Sequence, residues 1–359
     1  MNLAHKIRLT PTESDIAYFR KCCGTARFVY NWALAKWNEE YKEQKKPTAL
    51  KLKKEFNQIK KTEYPWVYEV TKTVAEQSFS NIGDAFKRFF SKKAKYPNFK
   101  KKGKSKDSFY IANDKLQIDD KRVRIPKLGW VKMRESLRFS GKIMSATVSR
   151  TADKWFISIS VETNDKSKPV ENQDKVGVDL GIKQLATLSC GEIVTNPRPL
   201  SKLSKKLKRL SRRLSKKIVG SKNREKAKKK LARLHYKISC IRQDTLHKLT
   251  NYLTSDFKKI AIENLNIQGM MQNRKLAKAI ADVGFFEFRR QLEYKSMLTE
   301  SQIVVVSTFF PSSKQCSECG HKKDNLALSE RIYSCDNCNF KLDRDLNAAI
   351  NIVKEAFPN

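Results

Sequence analysis

Two Cys-x-x-Cys pairs, Cys316/Cys319 and Cys335/Cys338, stand fifteen residues apart and constrain the local fold more tightly than any other feature of the chain. Four thiolates at this spacing close a tetrahedral zinc site. A thioredoxin-type redox pair is the poorer reading, because there are two pairs and no βαβ pattern surrounds them. With sulfur filling all four positions, the Zn²⁺ is structural and has no open coordination site. His321 is a spare ligand that could replace one thiolate. The other cysteines, Cys22, Cys23, Cys190 and Cys240, lie in apolar or helical settings and read as small buried hydrophobes.

Charge sets the partner. The 359 residues hold 75 Lys+Arg against 37 Asp+Glu, a formal net charge of +38. Such a field works against a compact monomer unless a polyanion neutralises it. DNA and RNA are the natural candidates, because each phosphate contacted releases condensed counterions. Lys314, Lys322, Lys323, Arg331 and Lys341 around the cysteine pairs suit contact with such a backbone. A membrane partner is disfavoured, since no apolar run approaches the roughly 20 residues of a bilayer span. Met1–Thr10 alternates and does not read as a signal segment. The expectation is a soluble cytosolic protein associated with the nucleoid.

Residues 3–9 alternate with period two and predict a strand; from Thr12 the period becomes helical, with Phe28, Trp32, Ala35, Trp37 and Tyr41. A second helix is expected over about 72–91, carrying Val74, Phe79, Ile82, Phe86 and Phe90. The aromatics read mainly as core, with some free to stack on bases. Residues 92–106 hold eight lysines and no acid, and read as a solvated, partly disordered basic loop. Over 108–162 the alternation Leu116/Ile118, Val123/Ile125 and Trp155/Ile157/Ile159/Val161 returns, with turns at Asp119-Asp120 and Ala152-Asp153. This predicts a small antiparallel sheet or barrel that the strand at 3–9 joins, with the helices inserted. The stretch 164–174, with Pro169, reads as a linker. Two strands follow over Val176–Ser189, turning at Cys190-Gly191. Leu203, Leu207, Leu210, Leu214 and Ile218 then mark one amphipathic helix, and Leu231, Leu234, Ile238 and Ile241 a second, with a turn at Gly220–Asn223. Residues 201–233 contain sixteen Lys/Arg and one acid, Glu225, so intrahelical pairing cannot use this charge. A phosphate-tracking surface is expected, with Lys205, Arg209, Arg212 and Arg213 as candidate contacts.

Three acids stand where elements end. Asp179 lies between Val178 and Leu180 in an apolar strand, Glu263 ends the strand Ile260–Ile262, and Asp345 opens a helix carrying Ala348, Ala349, Ile352 and Val353. An acid among apolar neighbours is costly unless it meets a cation. Carboxylates from separate elements are what Mg²⁺ uses, and two such ions about 3.5–4 Å apart would stabilise both oxygens of a phosphodiester displacement. Each acid alone also has an ordinary reading, as a strand-edge or helix-capping carboxylate. Asp343 competes with Asp345 for the last place. Asp345 is preferred for its position two residues before Asn347 and the alanine pair.

Gly177-Val178-Asp179-Leu180-Gly181, Ile262-Glu263-Asn264-Leu265, the cysteine knuckles and Asp345-Leu346-Asn347-Ala348-Ala349 resemble the OrfB/TnpB proteins of insertion-sequence transposons. Phe28-Val29-Tyr30-Asn31-Trp32, Met270-Met271 and Phe288-Arg289-Arg290-Gln291-Leu292 are similar to the same family. The resemblance implies an α/β multidomain RNA-guided DNA endonuclease related to type V CRISPR effectors, cutting beside a short flanking motif. It implies a wedge-like β-barrel at 1–11 and 104–165, with a helical recognition insertion at 12–103. An RNase H-like (RuvC) nuclease domain would occupy 175–313 and 340–359, and a zinc ribbon that binds target nucleic acid would occupy 314–339. Asp179, Glu263 and Asp345 would be the catalytic, Mg²⁺-binding triad, and Cys316, Cys319, Cys335 and Cys338 the zinc ligands. Gln77, on the helix Thr73–Phe90, becomes a candidate reader of the flanking motif, its amide able to pair with adenine. Guide RNA and target DNA are the implied partners, with the protein a monomer on its RNA. Three alternatives stand: a DNA transposase or recombinase acting at transposon ends, a guide-directed binder that does not cut, and a plain RNA-binding protein of the ribosomal kind.

Overall fold

The computed structural model describes residues 1–164, 173–327 and 330–358. Most of the expected linker at 164–174 therefore lies outside the described residues. The chain divides into two compact units, Met1–Asp165 and Lys166–Asn359.

In the first unit, β1 (Asn2–Thr10) leads into α1 (Glu13–Lys42), α2 (Ala49–Ile59) and α3 (Lys72–Phe90). Strands β2 (Ser108–Ala112), β3 (Gln117–Asp119), β4 (Arg122–Ile125), β5 (Gly129–Met133), β6 (Lys142–Thr151) and β7 (Lys154–Glu162) follow. They form one antiparallel sheet in the order β2-β6-β7-β1-β5-β4-β3. The first strand is thus central, hydrogen-bonded to β7 and β5, and the helices are an insertion between β1 and β2. Asp120 and Ala152 adopt positive φ at the turns expected there. The end strands β2 and β3 are not paired with each other among the described residues.

Thr12 starts α1 with a reciprocal cap, its hydroxyl accepting from Asp15 N while the Asp15 carboxylate accepts from Thr12 N. The first half of α1 packs Phe19, Cys22 and Cys23 into the sheet core, beside Val74 of α3. Its second half builds a separate core with α2 and α3, including Val29, Leu34, Leu52, Phe56, Ile82 and Phe86. Most aromatics are spent there: the Trp37 and Phe86 rings stack 4.1 Å apart. Tyr41 and Phe90 remain exposed. The lysine-rich stretch 92–106 is held rather than loose. Asn31 grips Lys100 through both its main-chain groups, at 2.9 and 2.8 Å, and Tyr96 packs its ring on Phe86 and Phe89.

The second unit holds a mixed five-stranded sheet in the order β10-β9-β8-β11-β12. Its strands are β8 (Gln173–Leu180), β9 (Gln184–Leu188), β10 (Ile193–Thr195), β11 (Phe257–Glu263) and β12 (Gln302–Val306). The first three form an antiparallel meander, whereas β11 runs parallel to both β8 and β12. Between β10 and β11 come α4 (Pro199–Lys202), α5 (Ser204–Ser215) and α6 (Lys222–Asp256). Then α7 (Ile267–Gln272), α8 (Ala277–Val283) and α9 (Phe285–Thr299) precede β12. After β12 the cysteine segment contributes the hairpin β13 (Ile332–Ser334) and β14 (Lys341–Asp343), which runs straight into α10 (Arg344–Ala356).

The helical hairpin is less symmetric than its leucine pattern suggests. Helix α5 ends at Ser215, so Ile218 lies beyond it and is 81% exposed. Arg224 takes up the carbonyls of Leu214 and Lys217 at that end, satisfying acceptors that a continuing helix would have used. Helix α6 instead runs for 35 residues and carries Leu246, Leu249 and Leu253 onto the sheet. Cys22 and Cys23 are buried as expected, but Cys190 is exposed, on the tight turn between β9 and β10 where Gly191 has positive φ.

Candidate active site

Period-two alternation assigns the faces of the central strands. Val176 and Val178 on β8, and Ile260 and Ile262 on β11, point into the core shared with α6, α8 and α9. Gly177, Asp179, Ala261 and Glu263 therefore point to the opposite face, where Ala261 packs against Ile352 and Val353 of α10. The parallel register pairs Ala261 with Gly177 and Ile262 with Val178, which brings Glu263 level with Asp179 at the carboxyl ends of adjacent strands. Helix α10 lies on this face with Asp345 in its first turn. It approaches very closely. A Cβ added at Gly177 would fall 2.0 Å from Ala349 O and 2.9 Å from Val353 N. Glycine on the strand and the buried Ala348 and Ala349 on the helix permit backbone-to-backbone packing that side chains would prevent.

Asp343 and Asp345 differ in what their carboxylates already bond. Asp343 Oδ1 accepts from Asp345 N at 3.0 Å and Leu346 N at 3.1 Å, so its carboxylate is spent on starting the helix. The Asp345 carboxylate meets the Arg344 guanidinium at 3.1 Å, with Arg331 at 4.0 Å. Burial, then the negative charges of Asp345 and Glu263, push the Asp179 carboxyl up to about 7, against the partial relief given by Arg344. Burial also raises Glu263, opposed by the hydrogen bond from Ser312 Oγ to its Oε1 at 3.5 Å. Asp179 thus faces acids on two other elements, and Arg344 offsets only part of their negative charge. Their hard oxygens are the donors that Mg²⁺ takes.

The four cysteines are brought together as the spacing requires. Cys316 Sγ lies 3.7 Å from Cys338 Sγ, and Cys319 Sγ lies 3.6 Å from Cys335 Sγ. All four ligand atoms fall within 4.8 Å of one another; among the described residues no other group of three His, Cys, Asp or Glu ligand atoms draws that close. The three carboxylates therefore stand wider apart than the sulfurs. The N–H at His321 and the Asn337 amide favour the thiolate form of Cys319, while the crowded neighbouring sulfurs push the Cys338 thiol up. Zinc–sulfur bonds of about 2.3 Å in a tetrahedron match this cluster. Of the basic residues around it, Lys314 is bonded to Asp324 O and Lys323 is paired with Asp336, so part of that charge is used internally.

The candidate nucleic-acid contacts are carried by other elements than the triad. Lys205, Arg209, Arg212 and Arg213 are all exposed on α5 and, with Lys208 and Lys216, line a shallow groove of about 450 Å³. In the first unit, Gln77 is half-buried and bonded to Asn81 at 3.3 Å. It borders a cavity of about 370 Å³ with Lys53, Thr73, Ser80 and Tyr110. Sequence reasoning missed Arg344, Ser312 and Phe309. The first was visible as a cation between two acids at a helix start. Phe309 is 94% exposed on a loop that Thr308 Oγ1 ties to Asn264 O at 2.6 Å, beside Glu263, where a bare ring offers a stacking surface.

Family models match three stretches. Residues 158–274 match OrfB_IS605, described as "Probable transposase", and residues 285–352 match a Cas12f1-like TNB domain. Residues 1–46 match a model described as a helix-turn-helix domain, although here they form β1 and the single 30-residue helix α1. Several relatives carry the name "Putative RNA-guided DNA endonuclease". InsQ of Escherichia coli (strain K12) is 33% identical over 98% of this chain and 91% of its own length. The Streptomyces pristinaespiralis protein is 35% identical over 98% of this chain and 88% of its own. Among solved structures, Cas12f1 in its complex with sgRNA and target DNA is similar in fold, with a TM-score of 0.55 at 17% identity over 96% of this chain and 83% of that one. No described helix is long and apolar enough to cross a membrane. With a third of its residues shared across nearly its whole length, the chain belongs to the OrfB/TnpB family of IS605-type insertion sequences.

Proposed function

We propose that the protein is an RNA-guided DNA endonuclease that hydrolyses the phosphodiester bond with Mg²⁺ held by Asp179, Glu263 and Asp345. The observation that carries this reading is the convergence of three carboxylates, with Asp179 pushed up to about 7 by burial and by the other two acids. A site so short of positive charge is built for cations. Bound there, Mg²⁺ would polarise the phosphoryl oxygens and generate the attacking hydroxide. The chain's own residues do the rest. Asp179 and Glu263 present oxygens from adjacent strand ends, Asp345 presents a third from the helix, and Ser312 orients Glu263. Arg344 supplies a nearby cation for the scissile phosphate.

The mixed β8-β9-β10/β11-β12 sheet with α10 on one face supports an RNase H-like (RuvC) nuclease domain at 175–313 and 340–359, interrupted by a zinc ribbon at 314–339. The antiparallel sheet of the first unit supports a wedge-like domain with a recognition insertion at 12–103. The basic face of α5 suits the RNA or heteroduplex backbone. The cavity beside Gln77 suits the edge of a short flanking motif. Relatives named as RNA-guided DNA endonucleases support guide RNA and target DNA as partners.

A cut-and-paste transposase would place its acids in the order Asp, Asp, Glu, with glutamate on the late helix; here the late helix carries Asp345. A guide-directed binder that does not cut has no need of three intact acids. Asp179→Ala separates the readings. It should leave RNA and target binding intact and abolish cleavage, and cutting that survives the substitution would remove the triad from the mechanism.

A further inference from the structure

Helix α10 and the first cysteine knuckle are joined by buried side chains rather than by loose surface contact. Asn347 and Asn351, one turn apart, are 0% and 2% exposed. A buried amide is costly unless its polar atoms find partners. Asn347 Oδ1 accepts from Ser317 N at 2.9 Å, and its Nδ2 donates to Gln315 O at 2.7 Å. Asn351 Nδ2 donates to Gln315 O at 2.7 Å and to Ser312 O at 2.8 Å. Lys354, further along the same helix, donates to Ser317 O. Three positions of α10 therefore hold the backbone of residues 312–317.

That segment runs from the acid site to the zinc cluster. At one end Ser312 Oγ reaches Glu263 Oε1 at 3.5 Å. At the other it enters the zinc cluster at Cys316. The second knuckle closes the circuit, because β14 continues directly into α10 and Arg344 N donates to Arg331 O at 2.8 Å. Asp345 is thus referenced to the ribbon from both sides. Among the described residues the ribbon has little core of its own: Cys316, Tyr333 and Cys335 are buried, with Leu326 and Phe340 packed against them. A module this small depends on its ion for order.

We propose that the zinc ribbon is a structural member of the carboxylate site. Through Asn347, Asn351 and Ser312, the zinc-ordered segment 312–317 sets the separation of Asp345 from Glu263, and with it the affinity of the site for a divalent ion. Mg²⁺ demands near-ideal octahedral geometry, so small errors in carboxylate placement are felt. Supporting residues around metal ligands typically change affinity 10–100-fold when removed. The inference rests on the nuclease reading above. Asn347 and Asn351 are positioning residues within it.

The test measures binding of Mn²⁺, a paramagnetic substitute for Mg²⁺, to the full-length chain freed of nucleic acid. Electron paramagnetic resonance counts the unbound ion, and Zn²⁺ is quantified in the same samples. Wild type stripped of zinc should bind Mn²⁺ about 10–100-fold more weakly and recover when zinc is restored. Asn351→Ala should be weakened while keeping its zinc. Stripped wild type that binds Mn²⁺ within about twofold of the loaded protein would overturn the proposal. If Asn351→Ala does not fold, the strip-and-reload comparison decides alone. Asp179→Asn is the separate control: full Mn²⁺ binding by that variant would refute the nuclease reading itself, whatever zinc does.

Discussion

Replacing Gly177 by alanine adds one methyl group at the closest approach between strand β8 and helix α10. The new Cβ would fall 2.0 Å from Ala349 O, 2.9 Å from Val353 N and 3.0 Å from the Val353 side chain. Two of these three atoms are backbone, so no rotamer change relieves the collision. Restoring an ordinary contact of 3.4 Å requires α10 to move away by about 1.4 Å. Overpacking of this kind typically costs about 1–3 kcal/mol and sometimes more. The functional loss should be larger than the stability loss, because the moving helix carries Asp345 and the fixed strand carries Asp179. A misplacement of about 1 Å at a reacting centre can cost on the order of 10²-fold in rate. Chemical denaturation gives the first quantity, and single-turnover cleavage at saturating Mg²⁺ gives the second. Gly24→Ala is the matched control. It lies within α1 with nothing inside 4 Å of its added Cβ, and should stabilise by about 0.5–1 kcal/mol. A Gly177→Ala protein with wild-type stability and wild-type cutting would refute the claim that this contact sets the spacing of the acids.

Asp179 makes stability pH-dependent in the metal-free protein. Its folded pKa is raised from 3.8 to about 7, so the folded state holds the proton more tightly and stability falls as pH rises through that window. Asp179→Asn should match wild type below about pH 4 and exceed it by up to about 4 kcal/mol at pH 8 in EDTA; melting curves across pH would show it, and added Mg²⁺ should narrow the gap. Changing Arg209, Arg212 and Arg213 together to glutamine should weaken RNA binding at every sequence and flatten its salt dependence by about three units of slope, read by filter binding at several salt concentrations. Gln77→Ala should cost about 1–3 kcal/mol of preference at one base of the flanking motif, leaving cleavage of a target with that base altered nearly unchanged.

Where the chemistry of single residues dominates, the sequence was legible. The spacing of Cys316, Cys319, Cys335 and Cys338 forces one geometry, and the structure shows it. Asp179 and Glu263 stood out as candidates because they interrupt or end apolar strands, and the register brings them level at adjacent strand ends. Contacts between distant segments were not legible. Helix α2 hides behind lysines, since only Leu52 and Phe56 are buried on it. The basic loop looked free because its anchor, Asn31, lies 69 residues from Lys100. The roles of Asn347 and Asn351 depend on acceptors at Ser312 and Gln315, which no periodicity encodes. That Asp343 caps the last helix through Asp345 N and Leu346 N was equally invisible in the sequence.

The order of the elements along the chain also sets an order in time. The cationic helix α5 precedes Asp345 in sequence, with α6, the strands β11 and β12 and both cysteine knuckles between them. At a synthesis rate of 5–20 residues per second, ribosomes need roughly 7–26 s to travel from Arg213 to Asp345. During that interval the nascent chain carries α5 but not Asp345. Any product ending before Arg344 would lack both the third candidate acid and the helix that packs against Gly177, so the second unit could close its sheet only once the last helix has been made.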